Sequence, residues 1–197
     1  IIKPMIRIGI LGDIGSGKSY IAKKFGYPVF NADEEVSKLY RKDKKVLKKF
    51  KKTLPKYFNS LPINKKDISQ AILDNKTNLK KIIKIVHLEI RKKMNLFLKK
   101  NKTKKFVILD IPLLLENNIN NKNDILIYVQ SKKSDVLKRL KMRKNFNEKL
   151  MNLFNNIQLP LDYKKKKSQF IIKNDFKKIT VLKYVKNILE EINKWKK

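Results

Sequence analysis

Cysteine is absent from the 197-residue chain, which excludes disulfide frameworks and thiolate metal sites and fits a reducing cytosol. Acidic residues are few: 17 Asp+Glu stand against 50 Lys+Arg, a formal net charge of +33. No run approaches the roughly 20 consecutive apolar residues that a membrane helix needs. The N-terminal segment lacks the charged-then-apolar layout of a secretory signal. No membrane association is expected, and the expected location is cytoplasmic. Wholesale disorder is excluded in turn, because 42% of the residues are hydrophobic, enough for a core. The length allows one substantial domain with a smaller appendage, or two small ones.

The basic excess is almost all lysine, 45 Lys and 5 Arg, beside 20 Asn and 25 Ile. This is the bias that an AT-rich genome imposes through its codons. Nucleic-acid sites lean on arginine, whose planar fork reads phosphates and bases with two bonds at once. Most of the lysines therefore read as solvated surface, and no specific nucleic-acid partner is expected. A field of this sign still draws phosphorylated metabolites and binds RNA or DNA weakly in low salt.

Glycine is rare and informative. All five glycines lie within the first 26 residues, at 9, 12, 15, 17 and 26. Gly12-Asp13-Ile14-Gly15-Ser16-Gly17-Lys18-Ser19 satisfies G-x-x-x-x-G-K-[ST], for which the composition yields roughly 0.002 chance matches. Met5–Leu11 before it reads as a buried strand, and Tyr20–Phe25 after it as a helix. Such a loop turns its N–H groups inward around phosphates, and the helix adds the positive end of its dipole. Lys18 would reach the β- and γ-phosphates of ATP, and the Ser19 hydroxyl would ligate Mg²⁺. Tyr20 closes the ATP-binding stretch. Asp13 puts a carboxylate beside the phosphates, and its side chain is expected to point outward.

Pro28–Asn31, Phe106–Pro112, Ile125–Val129 and Phe170–Ile172 are further strand candidates, and Ile179–Trp195 is a last amphipathic helix. Strands alternating with helices predict an α/β fold with a five-stranded parallel sheet. The expected division is a nucleotide-binding core of residues 1–43, 103–133 and 168–197. Residues 44–102 form a helical insertion, broken at Pro55 and Pro62, and residues 134–167 a movable lid. Ligands of open α/β sheets collect at the carboxyl ends of strands, which singles out Asp33 and Asp110. Asp110 would sit beside Ser19 and Mg²⁺, the third strand commonly neighbouring the first. The plainer alternatives are a turn-capping carboxylate for Asp110 and an N-cap of a helix over Glu34–Tyr40 for Asp33. Arg139 and Arg143, four apart, fall on one helix face. Lys164–Lys167 reads as a solvated face, with Lys164 the one to watch, and Trp195 reads as packing.

The chain resembles the dephospho-coenzyme A kinase family from Gly9 to Asn174. Ile8–Gly12 looks like the opening of its phosphate loop, Asn31-Ala32-Asp33 is similar to its Asp-Ala-Asp, and Asp110–Glu116 to its Asp-x-Pro-Leu-Leu-Phe-Glu. Ile85-Val86-His87-Leu88 resembles its Ile-x-His-Pro; Arg139 and Arg143 fit its lid arginines. Gln158-Leu159-Pro160 with Lys164, then Ile172-Lys173-Asn174, fit its closing Gln-x-Pro and last strand. The resemblance implies a P-loop fold and transfer of the ATP γ-phosphoryl group to the 3′-hydroxyl of dephospho-coenzyme A. Lys18, Mg²⁺ and the lid arginines, Arg139 as a catalytic group and Arg143 at ATP, would offset charge. Asp33 would orient or deprotonate the hydroxyl, and His87 and Lys65 would bind substrate. A monomer is favoured. The chain departs from the pattern at Asp13, Tyr20, Asn31, Leu88, Phe154 and Ser168-Gln169.

Three other readings stand beside this one. Another small-molecule or nucleotide P-loop kinase differs only in its acceptor. A basic nucleic-acid-binding protein lacks the interleaved aromatics or Arg-rich helix it needs. A GTPase has two guanine-type Asn-Lys-x-Asp matches, at 64–67 and 121–124, but neither follows a strand and roughly 0.2 arise by chance.

Overall fold

The computed structural model describes residues 5–143 and 146–195. Its five strands are β1 (Ile6–Gly12), β2 (Val29–Asn31), β3 (Phe106–Asp110), β4 (Ile125–Gln130) and β5 (Phe170–Lys173). All neighbouring pairs run parallel, in the order β2-β3-β1-β4-β5. The expected parallel α/β sheet is therefore found, with the third strand beside the first. β3 is buried along its whole length and β4 along all but its last residue, as runs of Ile, Leu and Val covered on both faces should be.

The described helices are α1 (Lys18–Lys24), α2 (Ala32–Lys42), α3 (Lys44–Thr53), α4 (Lys65–Asp74), α5 (Thr77–Lys100), α6 (Lys133–Lys141), α7 (Glu148–Asn156), α8 (Leu161–Lys167) and α9 (Lys178–Lys194). Among the described residues no helix is long and apolar enough to cross a membrane. The chain forms two compact units. The first comprises the described residues of Ile1–Asn31, Asn101–Phe146 and Gln158–Lys197; the second is Ala32–Lys100 with Asn147–Ile157.

In the first unit, α1 and α9 cover the sheet. Ile21 and Ala22 of α1 and Val181, Val185, Ile188 and Ile192 of α9 pack on Ile8, Ile10, Ile108 and Ile127. Trp195 is a packing residue as expected, stacked on Phe170 with centroids 5.2 Å apart and planes at 14°. In the centre of β1, a Cβ on Gly9 would stand 2.5 Å from Leu114 and 2.9 Å from Leu126, so a side chain there would force both leucines to shift. Arg7 of β1 holds Asp124 ahead of β4, with Nε 2.9 Å and Nη2 3.0 Å from the two carboxylate oxygens. That bond uses up the aspartate of the second Asn-Lys-x-Asp match. The first match opens α4, with Asn64 at its N-cap.

The second unit is built on α2, α3, α4 and α5. Asp43 caps α3 by accepting from the Lys45 and Val46 amides, and Phe50 packs on Phe58 at 4.6 Å between centroids. α5 adds Ile82, Val86 and Ile90 to its own unit's interior. The helix expected to begin after Asp33 begins at Ala32 instead. Asp33 is thus an exposed residue of the first helical turn rather than a cap.

Candidate active site

The glycine loop leaves the carboxyl end of β1 and enters α1 directly. Gly17 holds the N-cap position at φ 93°, ψ 16°, a left-handed conformation that favours glycine. A Cβ there would also lie 2.6 Å from the Asn174 amide nitrogen. The loop encloses its own turn, with the Ser16 amide donating to the Asp13 carbonyl at 3.2 Å. Lys18 folds back over it: Nζ donates to the Asp13 carbonyl at 2.6 Å and to the Gly12 carbonyl at 3.2 Å.

Asp13 is half-buried and bonded to its own loop. Its Oδ1 accepts from the Ile14 amide at 2.7 Å, because a short acidic side chain in a turn finds the next backbone N–H within reach. Its charge is felt nearby: burial foremost, then Asp13 and Asp162, push the Tyr128 hydroxyl above its ordinary pKa. Ser16 is buried while Ser19 and Tyr20 are exposed. Tyr20 turns its ring toward Lys24, whose Nζ sits 4.8 Å from the centroid.

Asp110 ends β3 and is 3% exposed. It faces Asn31 in register across β2 and β3, and the Asn31 amide donates to its Oδ2 at 2.6 Å. A charge-assisted bond of this length fixes the carboxylate's orientation. In the sequence Asn31 is only the altered first residue of the Asp-Ala-Asp pattern; its pairing with Asp110 shows in the strand order alone.

Arg139 lies in the last turn of α6, its guanidinium 4.4 Å above the Phe176 ring centroid. Arg139 and Arg143 do not share a helix face: α6 ends at Lys141, and Arg143 sits two residues beyond. There its amide donates to the Leu140 carbonyl at 3.0 Å, closing a four-residue turn just past α6. Lys164 is not part of a solvated face. It is 1% exposed, with Nζ 2.6 Å from Glu116 and 2.8 Å from the Gln158 amide oxygen, and Glu116 also accepts from the Leu159 amide at 3.0 Å.

The loop, Ser19, Asp110, Arg139 and Arg143 all belong to the first unit; Asp33, Lys65 and His87 belong to the second, on α2, α4 and α5. Lys65 is the exposed first residue of α4. His87 has a buried Nε2 without a hydrogen-bond partner. Burial, then the Arg91 charge, hold its pKa below the ordinary histidine value.

A phosphate loop between β1 and α1, with an aspartate closing the adjacent strand, makes this a P-loop kinase fold. Solved structures agree. A Thermus thermophilus protein matches with a TM-score of 0.77 at 25% identity, covering 96% of this chain and 98% of its own. A dephospho-CoA kinase from Campylobacter jejuni shares the fold with a TM-score of 0.62 at 23% identity, over 95% and 97% of the two chains. At the level of sequence, the dephospho-CoA kinase family model matches residues 6–179. A dephospho-CoA kinase of Wolbachia sp. subsp. Brugia malayi is 34% identical over 191 residues, 94% of this chain and 97% of the relative. The chain belongs to the dephospho-CoA kinase family, a family of phosphotransferases.

Proposed function

We propose that the chain transfers the γ-phosphoryl group of ATP to the 3′-hydroxyl of dephospho-CoA, giving CoA and ADP, the last step of coenzyme A synthesis. The family match over nearly the whole chain carries this reading, and the loop geometry supports it. The loop amides of Gly12 to Ser19 would bind the phosphates, and Lys18 would exchange the Gly12 and Asp13 carbonyls for phosphate oxygens. Asp110 and the Ser19 hydroxyl fit Mg²⁺, which favours oxygen donors and takes few from protein, keeping phosphate and water for the rest. When bound, that ion offsets charge on the phosphates.

In the reaction the 3′-oxygen forms a bond to the γ-phosphorus while the bond to the β,γ-bridging oxygen breaks. The hydroxyl proton passes to Asp33, and ADP leaves. Arg139, released from Phe176, and Arg143 would stabilise charge on the transferring group. Asp33 supports this role by its exposure and by its place two residues after Asn31, where β2 ends. His87 and Lys65 would hold the acceptor. Residues 44–102 would serve as the substrate domain and residues 134–167 as a lid that excludes water. We place the enzyme in the cytoplasm as a monomer.

The test is ADP release from Mg·ATP across a panel of acceptors. Dephospho-CoA should be the preferred one. Use of a nucleoside monophosphate without use of dephospho-CoA would overturn the acceptor and leave a different P-loop kinase.

A further inference from the structure

The Ser16 carbonyl is held from two directions. Ser131, just past β4, donates from its hydroxyl at 3.0 Å, and Asn174, just past β5, donates from its amide at 2.8 Å. A carbonyl oxygen has two lone pairs, so both are taken. Asn174 is itself held in place. Asn174 is 4% exposed, its backbone amide donates to the Gln130 carbonyl at 2.8 Å, and its side-chain oxygen accepts from the Phe176 amide at 3.0 Å.

A peptide unit is planar and trans, so its N–H points opposite to its C=O. Clamping the Ser16 carbonyl toward the ends of β4 and β5 therefore aims the Gly17 N–H away from them. The left-handed backbone at Gly17 leaves this peptide otherwise free to rotate, since glycine tolerates more than one orientation. The clamp removes that freedom.

We infer that Ser131 and Asn174 are positioning residues: together they fix the Ser16–Gly17 peptide so that the Gly17 N–H is aimed at a bound phosphate before the nucleotide arrives. The inference rests on the proposed phosphate-binding role of the loop but not on the identity of the acceptor. It gives Asn174 a task that the sequence pattern, where it merely closes a strand, leaves open. It also explains why the loop needs glycine at 17, since Asn174 fills the space a Cβ would take.

The experiment measures binding of ADP, and of inorganic triphosphate as a probe without a base, by calorimetry on the full chain with no acceptor present. Ser131→Ala should weaken both by roughly three- to ten-fold, the worth of one hydrogen bond. Ser131→Thr, which keeps the hydroxyl, should stay within about two-fold of the parent. Asn174→Asp is isosteric but sets a carboxylate oxygen against the carbonyl, and should weaken both probes by about ten-fold or more. The KM for dephospho-CoA should move by less than about two-fold in each variant. A purely structural role would lower the melting temperature and leave these affinities alone. Unchanged ADP and triphosphate affinity in Ser131→Ala, or equal losses in Ser131→Ala and Ser131→Thr, would overturn the inference even if Asn174→Asp failed to fold. Failure of the parent to phosphorylate dephospho-CoA would count against the acceptor alone, because both probes are read without it.

Discussion

Asp13 works against the loop that contains it. Its carboxylate occupies the Ile14 amide at 2.7 Å and adds a negative charge where a polyphosphate is to sit. Two variants separate these effects. Asp13→Asn keeps an oxygen for the amide and removes the charge. Two unit charges about 8 Å apart interact by about 2 kcal/mol at an effective dielectric constant near 20. Screening at physiological salt brings this to about 1 kcal/mol, or roughly five-fold in affinity for ATP. Asp13→Ala also frees the Ile14 N–H, worth about another 1 kcal/mol. The expected order of ATP affinity is therefore parent, then Asn, then Ala, with Ala tighter by roughly 10- to 30-fold. Calorimetric titration with ATP at two salt concentrations reads both parts: the gain in Asn should shrink at high salt, and the extra gain in Ala should not. The reasoning is refuted if Asp13→Ala binds ATP no more tightly than the parent.

Further outcomes follow from the same geometry. Lys18→Ala and Asp33→Ala should each cut kcat by at least about 10², the scale of one lost charge stabiliser or one lost proton acceptor; near-normal turnover in a steady-state ADP assay removes either residue from the chemistry. Lys164→Ala should cost about 3 to 5 kcal/mol of folding stability, because the Glu116 carboxylate is left buried and unpaired. Replacing the pair by Met and Leu together should come near the parent in urea unfolding; a mild single variant would sink this account. His87 titrates below its ordinary value when folded, so the folded state holds fewer protons than the unfolded state once the pH falls through 6.5. Its contribution is absent above that pH and becomes destabilising as the pH drops toward the lowered folded value. His87→Gln should flatten the loss of unfolding midpoint between pH 7.5 and 5; an identical slope would rule the residue out as its source.

The strands and the glycine loop could be read from local signals. Phe106–Asp110 and Ile125–Gln130 are apolar runs too short for helices, and the loop needs glycine for backbone reasons written in consecutive residues. Asp110 was legible because a strand's last residue falls at the ligand end of a parallel sheet. Contacts that join distant segments were not. Lys164 stands in a run of four lysines; the resemblance marks it as the one to watch, but its burial against Glu116, 48 positions earlier, shows only in the folded chain. The Asn31–Asp110 bond depends on which strands are neighbours. The separation of Arg139 from Arg143 depends on where α6 stops, and no glycine or proline marks that point. The donors to the Ser16 carbonyl come from beyond two different strands, each polar residue ordinary in its own surroundings.

The enclosed ammonium of Lys164 also sets this amine apart in reactivity. Acylating reagents must reach the nitrogen, and at 1% exposure, gripped by Glu116 and Gln158, it is closed to them. Lys166 and Lys167 are open to solvent and will be modified first. The extent of labelling at position 164 then becomes an internal clock for how often the joint between α8 and the segment that follows β3 breathes apart.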